Sequence, residues 1–289
     1  MTTLTLEKMP ATGANYLKAA LSLSRKAEGA VAIPSLSATL PELRVDPAQL
    51  NAYREICGFA AGETLPITFP QVIAAAIQMH LLNQPGFPIP LIGLVHLRNK
   101  IEQQRPLKAD ESFAVNVRIE GEGSQHSDKG LEFDIVTTFS VGDEELWQCA
   151  ATVLHRAKKK SEKPSGKKPV AKGDDALHHY ESFDAPEDIG RRYGRISGDM
   201  NPIHLYPLTA RLFGYPKAIA HGMWSLARCA AILEPHLGAA PRRLDCAFKQ
   251  PLFLPGRVAL KHHSVAAGID FSLLARNSDK VHLVGSLLR

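Results

Sequence analysis

Residues 193–204 read Tyr-Gly-Arg-Ile-Ser-Gly-Asp-Met-Asn-Pro-Ile-His, and an echo of them stands 140 positions earlier. Tyr53, Gly58 and Phe59 have the spacing of Tyr193, Gly198 and Asp199, and Pro66-Ile67-Thr68 precedes Pro202-Ile203-His204 by 136. Arg105-Pro106-Leu107 answers Gln250-Pro251-Leu252. The surrounding elements repeat in the same order. In the first half Asp46 can cap a helix running to about Cys57. A second helix is expected over Phe69–Leu82, apolar nearly all round and therefore buried. Strand-like runs follow at Ile92–Glu102, Ser112–Glu120 (alternating with period two), Leu131–Val141 and Glu145–His155. In the second half a short strand at Leu177–Phe183 leads to a helix at Pro186–Ser197, an irregular stretch from Asn201 to Pro216, and an apolar helix at His221–Leu233. Strands near Leu244–Gln250, Arg257–Val265, Phe271–Arg276 and Lys280–Leu288 close the chain. A helix followed by several antiparallel strands, twice over, is an α+β chain with an internal duplication.

The two copies differ where chemistry can reside. Asp199 and His204 of the second half are replaced by Phe59 and Thr68 in the first. Gly198 permits a tight turn, and Pro202 holds Asn201 in extended backbone, so positions 199 and 204 can point inward together across a bend. A carboxylate and an imidazole facing one water form a general acid/base pair. The plainer reading is an Asp helix cap and a surface His. Ile219-Ala220-His221-Gly222-Met223 then opens the apolar helix. A helix N-terminus offers unpaired N–H groups and a partial positive charge, and Gly222 can let a ligand carbonyl approach the backbone. The plainer reading of Gly222 is a packing glycine, and of His221 an N-cap-like structural residue.

These residues together, Tyr193…Ser197-Gly198-Asp199-x-Asn201-Pro202-x-His204 with Ala210, then Ile219-x-His221-Gly222-Met223, resemble the hydratase-2 signature of MaoC-like dehydratases. That family comprises (R)-specific enoyl-thioester hydratases and 3-hydroxyacyl-thioester dehydratases. The degenerate first half is similar to the double-hotdog members. The resemblance implies a tandem hotdog fold, each copy a long buried helix wrapped by an antiparallel sheet, the two sheets joining edge to edge as a pseudo-dimer. It implies a lyase of fatty acid metabolism that adds water reversibly to a trans-2-enoyl thioester. Asp199 and His204 are then catalytic, the Gly222 N–H binds the thioester oxygen, and Asn201, Tyr193 and His221 orient the pair or the substrate. Some single-hotdog relatives carry a serine eight residues beyond that glycine; here the position is Ala230. The expected partner is an acyl-CoA or acyl carrier protein thioester, with CoA part of the substrate and no other cofactor. The organisation implied is a degenerate N-terminal hotdog at 1–157 lining an acyl tunnel, a linker at 158–173, and a catalytic hotdog at 174–289. A homodimer on top of the internal pseudo-dimer is left open. The reading from another class is a non-catalytic acyl-thioester-binding hotdog protein.

Composition narrows the alternatives. The 289 residues are 45% hydrophobic and 22% charged, which excludes global disorder and fibrous classes. The net charge is +5, but residues 158–172 alone hold seven Lys against one Glu, leaving the rest nearly neutral. Basicity confined to a Pro/Gly/Ser/Lys tract reads as a solvated connector, not a nucleic-acid face; attraction of CoA phosphates or an acidic carrier is its functional alternative. Cys57, Cys149, Cys229 and Cys246 lack metal-ligand spacing and read as reduced, buried thiols. No metal site is expected, although Asp199, His204 and His221 contain the donors of a two-His, one-carboxylate triad. There is no GxSxG elbow, and Gly121-Glu-Gly123 lacks the third glycine of a dinucleotide loop. No apolar run reaches the length of a membrane span. At the N-terminus Leu17, Ala20, Leu21 and Ser24 share a helical face; a short docked helix is preferred to a transit peptide, and the cytoplasm is the expected compartment.

Overall fold

Asp46 starts the first helix as its chemistry dictates. Its backbone is extended (φ −74°, ψ 115°) and its carboxylate accepts from Ala48 N at 2.9 Å. Helix α1 (Pro47–Cys57) then ends at Gly58, whose φ of 78° is left-handed. The computed structural model describes residues 2–12, 15, 31–91, 93–127, 129–156 and 179–289. The Lys-rich tract, the N-terminal helix read at Leu17–Ser24 and the first residues of the strand expected from Leu177 lie outside the described residues.

Twelve strands form one sheet among the described residues. The first half contributes β1 (Thr2–Thr5), β2 (Leu36–Arg44), β3 (Leu94–Gln103), β4 (Ser112–Ile119), β5 (Gln125–Ser127), β6 (Gly130–Val141) and β7 (Glu144–Arg156). The second contributes β8 (His179–Ala185), β9 (Arg243–Phe248), β10 (Gly256–Val265), β11 (Gly268–Ala275) and β12 (Val281–Leu288). The order is β1-β2-β4-β6-β7-β3-β9-β12-β11-β10-β8. Read outward from the β3–β9 seam, the two halves list equivalent strands in the same sequence, which is the expected tandem hotdog. The seam is antiparallel, Arg98↔Ala247 to Glu102↔Arg243.

Inside this sheet lie the central helices. In the second half, after the short α5 (Pro207–Arg211), α6 (Gly222–Leu237) is one rod, with Trp224, Leu226, Ala230 and Leu233 buried. It runs past the expected end at Leu233 and through Pro235, whose missing N–H leaves the Ala231 carbonyl without its usual helical donor, and it stops at Gly238 (φ 72°). The helix expected over Phe69–Leu82 is instead two, α2 (Phe69–Ile73) and α3 (Ala75–Leu82), broken at Ala74. β1 and β2 have no counterpart in the expectations. β1 is only four residues long, and β2 buries Leu36, Ser37 and Ala38 in succession and has an irregular register between Leu40 and Leu43, so it lacks the alternation that marks a strand.

The halves also interlock through helices. α1 packs on α4 (Ile189–Ser197), where the buried rings of Tyr53 and Tyr193 lie 6.2 Å apart. Trp224 Nε1 donates to Ile56 O (3.1 Å) and Arg228 Nη1 to Cys57 O (2.8 Å). The Arg228 guanidinium occupies the place a Cβ on Gly58 needs, so the glycine serves both the left-handed turn and this contact. The four cysteines are buried and free, as read from their spacing. Among the described residues no helix is long and apolar enough to cross a membrane.

Candidate active site

Helix α4 stops at Gly198 (φ 76°), and the chain turns sharply. Asp199 N donates to Ser197 Oγ (3.2 Å), and Asp199 Oδ1 accepts from Asn201 N (3.1 Å). Asn201 is extended (φ −56°, ψ 126°), as its proline neighbour requires, and its Oδ1 accepts from Ile203 N (3.4 Å) to cap the single 3₁₀ turn Pro202–His204. These local bonds hold Oδ1 in the loop, while Oδ2 faces the two histidines of the site.

That oxygen lies 4.0 Å from His204 Nε2 and 3.7 Å from His221 Nε2. His204 Nδ1 is 2.8 Å from the Ile219 carbonyl, to which it can only donate, so Nε2 of the neutral ring carries a lone pair. His221 Nε2 donates to the Asp199 carbonyl (2.9 Å). The two imidazoles stack, with centroids 3.8 Å apart at 27°. Burial pushes His204 below the ordinary imidazole range, against the Asp199 charge and the Ile219 carbonyl, which favour its proton. Burial, with His204 alongside, pushes His221 down to about 3. Both rings are neutral near pH 7, so the contacts with Asp199 are not ion pairs.

The neutral His204 Nε2 and the carboxylate oxygen Oδ2 of Asp199 are then two acceptors across a 4.0 Å gap. A water donating to both at roughly 2.8 Å spans that gap with an angle of about 90°, close to its own H–O–H angle. Asp199, His204 and His221 also bring one ligand atom each within 4.8 Å of one another. For His221 that atom is the Nε2 whose proton is held by the Asp199 carbonyl, so metal ligation there costs a buried hydrogen bond.

The gap opens into a cavity of about 400 Å³ lined by both halves. Gly222, first residue of α6, borders it, and as N1 its N–H has no intrahelical acceptor. A Cβ on Gly222 lies 2.9 Å from Phe248 Cε1. The space left by the missing side chain is thus filled by Phe248, the packing role weighed for this glycine. Tyr193 packs its ring on His221 (5.0 Å), and its buried hydroxyl has no hydrogen-bond partner among the described residues. It contacts the dyad through His221. Asn201 acts through the loop backbone.

Sequence reasoning expected the first half to line an acyl tunnel but singled out none of its residues that border this cavity. Gln71, Val72, Gln78 and His96 line the same cavity, as do Phe248 and His282 of the second half. The signal for His96 was hidden in pairing. His96 pairs with Val153 and Arg98 with Thr152, so Leu97 is an extra residue and the strand changes face. Arg98 points outward to Glu132 (2.8 Å), and His96 points inward with Val153. Its ring packs on Phe248 (4.9 Å), and burial lowers it to about 4.

Residues 159–270 match the family model described as MaoC like domain. The chain is 32% identical over 277 residues to 3-hydroxyacyl-thioester dehydratase X of Mycobacterium tuberculosis, covering 92% of this chain and 96% of that protein. The chain belongs to the MaoC-like dehydratase family. The crystal structure of HtdX from the same organism superposes with a TM-score of 0.74 at 30% identity, over 87% of this chain and 98% of that one. A MaoC-like dehydratase from Phytophthora capsici shares the fold at 16% identity, with a TM-score of 0.70 over 89% of this chain and 95% of that one.

Proposed function

We propose that this MaoC-like enzyme is a hydro-lyase interconverting trans-2-enoyl and (R)-3-hydroxyacyl thioesters. The observation that carries the reading is the pair of acceptors, Asp199 Oδ2 and His204 Nε2, 4.0 Å apart beside the N-terminus of a buried helix. A water donating both protons to the pair turns a lone pair toward the cavity. With the thioester oxygen on the Gly222 N–H, C3 of the enoyl group is electrophilic and presented to that water. The C3–O bond forms, one water proton passes to the pair, and negative charge gathers on the thioester oxygen, where the helix N-terminus stabilises it. The pair returns the proton to C2, and the other water hydrogen stays on the new hydroxyl. Both transfers come from one side, so addition is syn. Dehydration is the same path reversed.

The similarity to a 3-hydroxyacyl-thioester dehydratase supports the acyl-thioester substrate class, on CoA or on a carrier protein. No further cofactor enters these steps. Residues 1–157 act as scaffold and cavity wall and 174–289 supply the reacting groups, consistent with Phe59 and Thr68 standing where the second half has Asp199 and His204. The test is hydration of trans-2-enoyl-CoAs of increasing length with chiral analysis of the product. Formation of the (R)-alcohol, lost in Asp199→Asn and His204→Gln, supports the reading. Binding of the thioesters without turnover points instead to an acyl-thioester-binding protein.

A further inference from the structure

The free edge of the second half's sheet gathers four side chains that the proposed reaction does not use. Period-two alternation turns Val258, Leu260 and His262 of β10 inward, and all three are buried. The β8 register sets His179 opposite His262 and Glu181 opposite Leu260, on the same inner face. The last turn of α6 brings His236 over them. Ring centroids lie 5.3 Å apart for His262–His179 and 5.5 Å for His262–His236. His236 Nε2 is 3.4 Å from Glu181 Oε1. At 262 a leucine continues the pattern of 258 and 260; the histidine instead leaves Nε2 buried with no hydrogen-bond partner among the described residues. None of the four residues lines the cavity.

We propose that His179, Glu181, His236 and His262 bind one late first-row divalent cation, of the class of zinc, nickel or copper. Imidazole with one carboxylate suits these ions, not magnesium or calcium. In a tetrahedral zinc site each nitrogen stands about 2.0–2.1 Å from the metal, which puts ring centres roughly 5 Å from one another. The two centroid spacings, 5.3 and 5.5 Å, approach that value, although the rings of His262 and His179 are stacked and His179 and His236 must turn their nitrogens toward the ion. His179 is exposed and His236 is 53% exposed at its side chain, so both can rotate to complete the site. His262, fixed in the core, supplies the anchoring nitrogen. The ion ties the edge strand β8 to β10 and to the end of α6, three elements otherwise joined at this point by backbone pairs and exposed side chains.

The test uses the full chain, free of any affinity tag, stripped with chelator and titrated with ZnCl2 against a chromophoric competitor. One equivalent is expected at micromolar affinity or better. His262→Gln, and separately the surface double variant His179→Gln/His236→Gln, weaken it about tenfold or more. His204→Gln in the catalytic pair leaves it unchanged. Zinc raises the Tm of the wild type and not that of His262→Gln. The double variant alters only exposed positions, so misfolding cannot imitate loss of metal. No zinc bound at micromolar concentration, or zinc lost in His204→Gln and retained in the other two, overturns the proposal.

Discussion

The sharpest consequence of the site is that Asp199 and His204 act as one unit through a shared water. Asp199→Asn keeps the shape and keeps an oxygen to accept from Asn201 N, now at 3.1 Å. It replaces the second acceptor, 4.0 Å from His204 Nε2, with an NH2 donor. His204→Gln keeps a polar group in the turn but removes the imidazole. General acid–base catalysis contributes typically 10²–10⁴-fold, so each variant should lower kcat by about 3–5 kcal/mol in barrier height. Independent groups would make the double variant lose the sum. Groups that hold the same water lose it once, so Asp199→Asn/His204→Gln should fall within about tenfold of the worse single variant. The assay is crotonyl-CoA hydration followed by loss of enoyl-thioester absorbance, with Tm measured on all four proteins. A double variant that shows the full additive loss refutes the shared water, and near-wild-type turnover in either single variant refutes the assignment.

Four further outcomes are expected. Because burial lowers His96 to about 4 and His221 to about 3, the unfolded chain binds protons below pH 6.5 that the native state does not. Stability is therefore fully present above the unfolded value and drains as pH falls, by about 1.4 kcal/mol per pH unit for each such histidine; denaturant melts from pH 7 to 4.5 measure it, and His96→Phe should flatten the slope. The acid limb of kcat/KM should fall below pH 6.5, since His204 is also lowered. Gly222→Ala, whose Cβ would lie 2.9 Å from the Phe248 ring, should cost about 1–3 kcal/mol in stability by overpacking, read in the denaturation midpoint, and should slow turnover by shifting the helix start. EDTA treatment should leave hydratase activity unchanged, because His221 Nε2 is committed to the Asp199 carbonyl; loss restored by zinc would return the triad to consideration.

What was legible in the chain was what local chemistry determines. Asp46 and Gly58 bound α1 to the residue. Ser112–Ile119 alternates strictly, and the structure buries Phe113, Val115, Val117 and Ile119 while leaving the residues between them half-buried. Asn201-Pro202 and Gly198 bend the segment that brings residues 199 and 204 together. What was hidden depends on partners distant in sequence. The break at Ala74 lies inside an apolar run with no glycine to signal it. The turn of His96 toward the cavity follows from one extra residue in a ladder, which shows only once β3 is paired with β7. The packing partner of Gly222 is Phe248, 26 positions away on another element.

The same logic explains why duplication left one equipped copy. In the first half Tyr53 hydroxyl and Thr68 Oγ1 satisfy each other at 2.8 Å, and Gln71, Gln78 and Thr137 close a buried network of their own. In the second half His204 replaces the threonine, and the Tyr193 hydroxyl is left without a partner among the described residues. Four such buried atoms, on His96, Tyr193, His221 and His282, belong to residues bordering the cavity, against two elsewhere among the described residues. Each buried polar group left unpaired costs about 1–3 kcal/mol, so a fold of ordinary stability can carry few of them. Placing most of them around one cavity, His96 of the first half among them, keeps the destabilisation where a water and a thioester can relieve it. A second equipped cavity would add to that cost. One equipped site per chain is the arrangement that the marginal stability of folded proteins favours.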